Sequence, residues 1–389
     1  MTARASAVPF SIAVDDDSLA DLRHRILRTR WPDEVPGIGW RQGTSLAYLK
    51  SLLSDWAHRF DWRARERELN RFSQFRAVVD GVHVHFVHER ARQGRGVPLI
   101  LTHGWPSAWI EFLPLVPLLT DPAAHGIPGP SFDVVIPSLP GYGFSDRPAR
   151  TGVTARYVAG MWHQLMRTLG YDRYAAHGTD FGAAVTAFMA LEDPSSMIGI
   201  HLSSIEPEVS PYTGPGARPL SDAEREYLAS QQHWDAVERG YSSIQSTKPQ
   251  TVAYGLTDSP AGLAAWLVEK WRSWSDCGGD LDARFSRDFL LTLVTLYWVT
   301  STIASSMRDY YDNRWHSEPI GPHDYIGVPT GLAICANHFV SEGTPPREWA
   351  ERLYRVSHWA RLPRGGHFAA VEEPALLARD IAACFAPLA

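Results

Sequence analysis

Tyr171-Asp-Arg-Tyr-Ala-Ala-His177 runs into Gly178-Thr179-Asp180-Phe181-Gly182, and Ala183-Ala-Val-Thr-Ala-Phe-Met-Ala-Leu191 follows. The first piece reads as a short strand, the last as a helix, and two glycines bracket a carboxylate at the turn between them. A strand that turns directly into a helix needs small residues on either side of its apex. Gly178 and Gly182 meet that need and leave the Asp180 side chain clear of the sheet. With an unperturbed pKa of about 3.9, an aspartate is ionised at neutral pH without a helping base. At such an apex it can displace a leaving group from a saturated carbon and form an alkyl ester. The plainer alternative is an N-cap aspartate in a strand-to-helix loop.

Outward from this turn the pattern repeats. Phe75-Arg-Ala-Val-Val and Val82-His-Val-His-Phe-Val alternate like strands. Val97-Pro-Leu-Ile-Leu-Thr102, Phe132-Asp-Val-Val-Ile-Pro137 and Ile198-Gly-Ile-His-Leu202 are short apolar runs separated by helical text. Apolar strands alternating with helices predict a mostly parallel sheet with helices on both faces. Upstream, Leu19, Leu22, Ile26 and Leu27, then Tyr48, Leu52, Leu53 and Trp56, recur at helical spacing, with no strand expected before about Phe75. Between about 210 and 300 the strand signal gives way to helical text; it returns at Val328-Pro-Thr-Gly-Leu-Ala-Ile and His358-Trp-Ala-Arg-Leu, and a last helix begins at Pro374. A sheet interrupted by a helical insertion and then resumed is the plan of an α/β-hydrolase fold with a cap after its sixth strand. The expected division is a helical extension over 1–75, a core over 76–210, a cap over 211–300 and the rest of the core over 301–389.

The composition narrows the partners. The 389 residues are 44% hydrophobic and 21% charged, an ordinary globular balance. A net charge of −6 offers no basic field, so nucleic acid is not expected as a partner. Cys277, Cys335 and Cys384 lie too far apart for a disulfide framework or a CxxC metal site. Of the 37 basic residues, Lys50, Lys248 and Lys270 are lysine and the other 34 arginine, read here as the base composition of a GC-rich genome. The text from Met1 to Leu22 has no apolar run of a signal or anchor and meets Asp15-Asp16-Asp17. Phe289–Met307 is uncharged and near bilayer-spanning length, but Thr292, Thr295, Thr300, Ser301, Thr302, Ser305 and Ser306 mark it as a buried core helix. A cytoplasmic protein without membrane contact is expected; its oligomeric state is open, a homodimer included.

In an α/β-hydrolase the loop after the third core strand and the residue after the nucleophile supply the oxyanion donors. His103-Gly104-Trp105-Pro106 ends the strand Leu99-Ile-Leu-Thr, so the backbone N–H groups of Trp105 and Phe181 take that role. Each such donor carries on the order of 10²–10³ in rate. Arg364-Gly365-Gly366-His367-Phe368 follows the last strand and sets His367 where the fold keeps its general base.

Together these stretches resemble the microsomal-type epoxide hydrolase family over nearly the whole chain. His103-Gly-Trp-Pro, Ile244-Gln-Ser-Thr-Lys-Pro, Asp258-Ser-Pro-Ala-Gly-Leu-Ala-Ala-Trp, Val328-Pro-Thr-Gly and Arg364-Gly-Gly-His-Phe-Ala-Ala-Val-Glu-Glu-Pro match the family text, and Pro9-Phe-Ser-Ile to Trp62 resembles its N-terminal region. The resemblance implies that Tyr241 and Tyr310 bind the epoxide oxygen, with adjacent Tyr311 the less favoured choice for the second. It implies an acid orienting His367 ten residues beyond Val328, where His338 stands instead; a small insertion moves the role to Glu342, with Glu206, after the strand Ile198–Leu202, as the fallback. No metal or organic cofactor is implied, and the partners are a small epoxide and water.

Epoxide opening to a vicinal diol is therefore the expected activity. Haloalkane dehalogenation shares the aspartate and the histidine but needs halide donors; Trp105 could supply one, whereas Phe181 has no side-chain N–H. A ligand-binding relative without turnover is the third reading, motivated by the displaced acid. Trp234, Trp266, Trp271, Trp274 and Tyr254 suit a bulky aromatic epoxide of bacterial secondary metabolism, although ordinary cap packing explains them equally well; Trp234 and Trp105 are its expected contacts.

Overall fold

The computed structural model describes residues 7–337 and 344–388. Among them, nine strands form one sheet: β1 (Val8–Pro9), β2 (Gln74–Val79), β3 (Val82–Glu89), β4 (Val97–Thr102), β5 (Phe132–Pro137), β6 (Tyr174–Gly178), β7 (Met197–Leu202), β8 (Ile326–Cys335) and β9 (Tyr354–Leu362). Their order is β1-β2-β3-β5-β4-β6-β7-β8-β9, antiparallel from β1 to the β3–β5 pair and parallel beyond it. Every residue of β5 and β6 is buried, as expected of parallel strands covered on both faces.

The register decides where chemistry can sit. Thr102 lies beside Gly178, Gly178 beside Leu202, Leu202 beside Leu332, and Cys335 beside Leu362. The carboxyl ends of β4, β6 and β7 are thus level, and the loops beginning at His103, Thr179 and Ser203 open on one edge of the sheet, where open α/β sheets bind ligands.

The helical extension holds Asp16–Leu27, Leu46–His58 and Trp62–Leu69, the first and last N-capped by Asp15 and Asp61. One expectation is corrected here: β1 precedes the helices and pairs Val8 with Arg76 and Pro9 with Phe75. Two exposed residues carry no periodicity from which a strand could be read.

Between β7 and β8 the chain forms a helical layer that includes Asp222–Glu238, Gly240–Gln245, Pro249–Asp258, Pro260–Ser273, Arg287–Thr300 and Ile303–His316. The insertion follows the seventh strand in chain order, the sixth when β1 is left aside. The uncharged run forms two helices rather than one. Ser301 takes a left-handed conformation with φ 51°, ends the first helix, and the second leaves it at 87°. No single helix among the described residues is long and apolar enough to cross a membrane. The Ile303–His316 helix packs on Pro249–Asp258, so the helical layer continues past residue 300. Trp56 Nε1 donates to Thr295 Oγ1 at 2.9 Å, and Arg287 binds Asp55 and Asp282, which ties the extension to the Arg287–Thr300 helix.

The other end of the insertion is anchored by a buried carboxylate. Glu224 closes a capping box with Ser221, accepts from Arg352 at 2.6 and 2.7 Å, and pairs with Arg218 at 3.0 Å. The Arg352 hydrogen bonds hold its carboxyl down at about 2. A depressed folded pKa contributes stability above the unfolded value, near 4.5, and loses it as pH falls through about 2. Glu224→Gln should therefore lower the thermal midpoint at pH 7 by a few degrees, on the scale of a lost charge-assisted hydrogen bond. The gap from the parent should close between about pH 4.5 and pH 2; thermal scans showing a constant gap across that window would refute the assignment.

Candidate active site

Asp180 stands at the first turn of the Phe181–Glu192 helix with φ 53° and ψ −137°. A non-glycine residue held there stores strain of order 1–3 kcal/mol, and the surrounding backbone enforces it. A Cβ on Gly178 would lie 2.0 Å from the Gly182 carbonyl oxygen, and one on Gly182 would lie 1.9 Å from the Thr102 carbonyl oxygen. Glycine is the one residue that fits either position. Gly104 plays a similar part on the neighbouring loop, since a Cβ there would come within 2.2 Å of Asp180 Oδ1.

The two carboxylate oxygens have different surroundings. Oδ1 accepts from the Trp105 N–H at 2.9 Å and the Phe181 N–H at 2.7 Å. Oδ2 lies 3.3 Å from His367 Nε2. His367 rides on the loop after β9, where its backbone N–H donates to the Trp274 carbonyl at 2.8 Å and its ring packs edge-on against the Trp274 indole. Asp180 and His367 are both buried.

Tyr241, on the Gly240–Gln245 helix, and Tyr310, on the Ile303–His316 helix, meet above this carboxylate with ring centroids 5.7 Å apart and their phenols hydrogen-bonded. Trp105 stacks on Tyr241 at 5.3 Å and 8°, while Phe181 sets its edge against Tyr310 at 4.7 Å. Burial pushes both phenols well above their ordinary range, and the Asp180 charge adds to it, so both remain protonated donors. Tyr311 packs instead against Trp315 and His316.

A cavity of about 940 Å³ opens from Asp180, Phe181, Tyr241 and Tyr310. Trp234 lines it, as expected. Trp105 is buried behind Tyr241 and meets the site through its N–H and its ring face. The other cap aromatics pack elsewhere or face outward. Trp266 donates to Gln245, Trp271 stacks on Phe368 at 3.7 Å, Trp274 backs His367, and Tyr254 is 70% exposed. The lining also carries charged groups, Glu206, Glu208, Asp235, Arg239 and Arg314.

Glu342 lies outside the described residues, as does His338. Glu206 stands on the loop after β7, lines the cavity with Asp180, and its charge acts on Tyr241 and Tyr354. Glu111 escaped the sequence reading. It is buried in the turn after Trp109, and burial pushes it up to about 8, with the Asp180 charge adding to the rise. A lone acid within the apolar run Trp109-Ile-Glu-Phe-Leu was the available signal.

Residues 7–112 match the family described as Epoxide hydrolase N terminus, and residues 97–232 match the alpha/beta hydrolase fold. A Stigmatella aurantiaca protein provisionally named an epoxide hydrolase is 42% identical over 98% of this chain and 85% of its own. Epoxide hydrolase 1 of Sus scrofa is 37% identical over 96% of this chain and 87% of its own. The crystal structure of juvenile hormone epoxide hydrolase from the silkworm Bombyx mori superposes with a TM-score of 0.83 at 30% identity, covering 99% of this chain and 94% of that one. A likeness of this extent, on the same α/β-hydrolase sheet, makes the chain a member of the epoxide hydrolase family.

Proposed function

We propose that the protein opens an epoxide to a vicinal diol in two steps. In the first, a lone pair on Asp180 Oδ2 attacks an epoxide carbon. The carbon–oxygen bond breaks towards oxygen, and the Tyr241 and Tyr310 hydroxyls bind that oxygen and supply its proton. In the second, His367 takes a proton from water, whose oxygen adds to the ester carbonyl carbon of Asp180. The resulting oxyanion rests on the Trp105 and Phe181 N–H groups. Collapse breaks the bond between that carbon and the substrate-bearing oxygen. Of the water's two protons, one ends on the new hydroxyl and the other restores the phenol.

The observation that carries this reading is the unequal environment of one carboxylate: Oδ1 takes two backbone N–H donors, and Oδ2 lies 3.3 Å from His367 Nε2 beneath two protonated phenols. Glu342 is proposed to orient His367, with Glu206 as the alternative. The volume of the cavity and the rings of Trp234, Tyr241, Tyr310 and Phe181 support a bulky aromatic epoxide. Work in bacterial secondary metabolism within the cytoplasm belongs to the same proposal. Dehalogenation draws support from one atom, the buried Trp105 Nε1, which has no hydrogen-bond partner among the described residues.

Without its base the protein should alkylate and stall. His367→Gln incubated with styrene oxide should gain the full epoxide mass, and Asp180→Asn should gain nothing, as read by intact-protein mass spectrometry. Gain of a bare alkyl group from an alkyl halide, with no epoxide adduct, would replace the proposal with dehalogenation. For the orienting acid, Glu342→Gln should slow ester hydrolysis by about 10² or more while leaving ester formation within a few-fold. The same result from Glu206→Gln, with Glu342→Gln near normal, would move the role to Glu206.

A further inference from the structure

Lysine is scarce in this chain, with three residues against 34 arginines, and the three are not alike. Lys50 and Lys248 are exposed, whereas Lys270 is buried. It belongs to the Pro260–Ser273 helix of the insertion. Its Nζ lies 4.7 Å from the centroid of the Tyr241 ring and 5.9 Å from that of Trp274, and it pairs with the Glu269 carboxylate at 2.5 Å. A compact ammonium fits this aromatic corner, while the longer planar fork of an arginine needs more room. A buried cation is costly unless something compensates it, and here a carboxylate and two π faces do so.

We infer that Lys270 is a positioning residue for ring opening, acting on the epoxide oxygen through Tyr241. An ammonium over a phenol ring draws electron density from the π system, and the hydroxyl becomes a stronger hydrogen-bond donor. That gain is greatest when the epoxide oxygen carries alkoxide charge, so the effect falls on the transition state of the first step more than on substrate binding. It offsets the surroundings that act against the phenol: burial, and the negative charges of Asp180 and Glu206, which Arg239 counters only in part. Trp105, stacked on Tyr241, keeps the ring from turning away from the cation. In ester hydrolysis, run by His367, the bond changes are at the Asp180 carbonyl and the phenol only regains its proton, so that step is left nearly unchanged. The inference rests on Tyr241 as a donor to the epoxide oxygen.

The test is a double-mutant cycle on single-turnover ester formation with styrene oxide, in the His367→Gln background and read by intact mass. Lys270→Met should slow ester formation about three- to thirty-fold, the range open to a desolvated cation–π contact. The same substitution beside Tyr241→Phe should change the rate less than two-fold, because the hydroxyl on which it acts is gone. Lys270→Gln should reproduce Lys270→Met. With His367 restored, decay of the ester should match the parent in both lysine variants. Equal slowing with and without the Tyr241 hydroxyl would make Lys270 a packing residue and overturn the inference, as would no slowing, or failure of both neutral variants to fold. Unchanged ester formation in Tyr241→Phe itself would instead remove Tyr241 from the mechanism, a failure separable from that of Lys270.

Discussion

Two backbone N–H groups on one oxygen of Asp180 organise the rest of the molecule. Trp105 and Phe181 belong to loops that leave neighbouring strands, and the level ends of β4 and β6 bring them to the same point. The grip requires the Asp180 backbone to sit at φ 53°, a turn tight enough that neither Gly178 nor Gly182 can carry a side chain. Once Oδ1 is held, Oδ2 is left to face His367 and the cavity. The asymmetry of the carboxylate is therefore set by sheet register, before any side chain of the helical layer is considered.

Burial then keeps the neighbourhood electrically simple. His103, directly before Gly104, is pushed down to about 4 by burial and stays neutral while the Leu139 N–H donates to its Nε2 at 3.3 Å. Glu111, pushed up to about 8 chiefly by burial, is mostly protonated at neutral pH. Neither adds a full charge beside Asp180 at neutral pH.

Much of this was legible in the residues. A carboxylate between two glycines, after an apolar strand and before a small-residue helix, left the nucleophile and the N-cap both open, and Asp180 does cap the helix through the Phe181 N–H; the order of strands and helices carried the α/β plan. Other features left no local trace. Ser301 reads as one hydroxyl among several, and only tertiary packing sets it left-handed and splits the apolar run in two. Aromatic rings in helical text do not say which way they face, so substrate contact and cap packing stayed equally open for the five cap aromatics, and four of them are packing or surface groups. Lys270 looked like a remnant of base composition because its significance depends on Tyr241, 29 positions away in sequence. Tyr310 rather than Tyr311 came from family likeness; helix phase makes the choice physical, since neighbours on a helix point about 100° apart.

The 87° corner at Ser301 also links the N-terminal extension to Tyr310. One arm of the corner, Arg287–Thr300, is pinned to the extension through Trp56 and Asp55; the other, Ile303–His316, carries Tyr310. The extension is thus the footing of a bracket whose far tip is a phenol, with more than two hundred residues of sequence between footing and tip. Play in that footing would reach the tyrosine, and His367 is tied to the same helical layer through the Trp274 carbonyl.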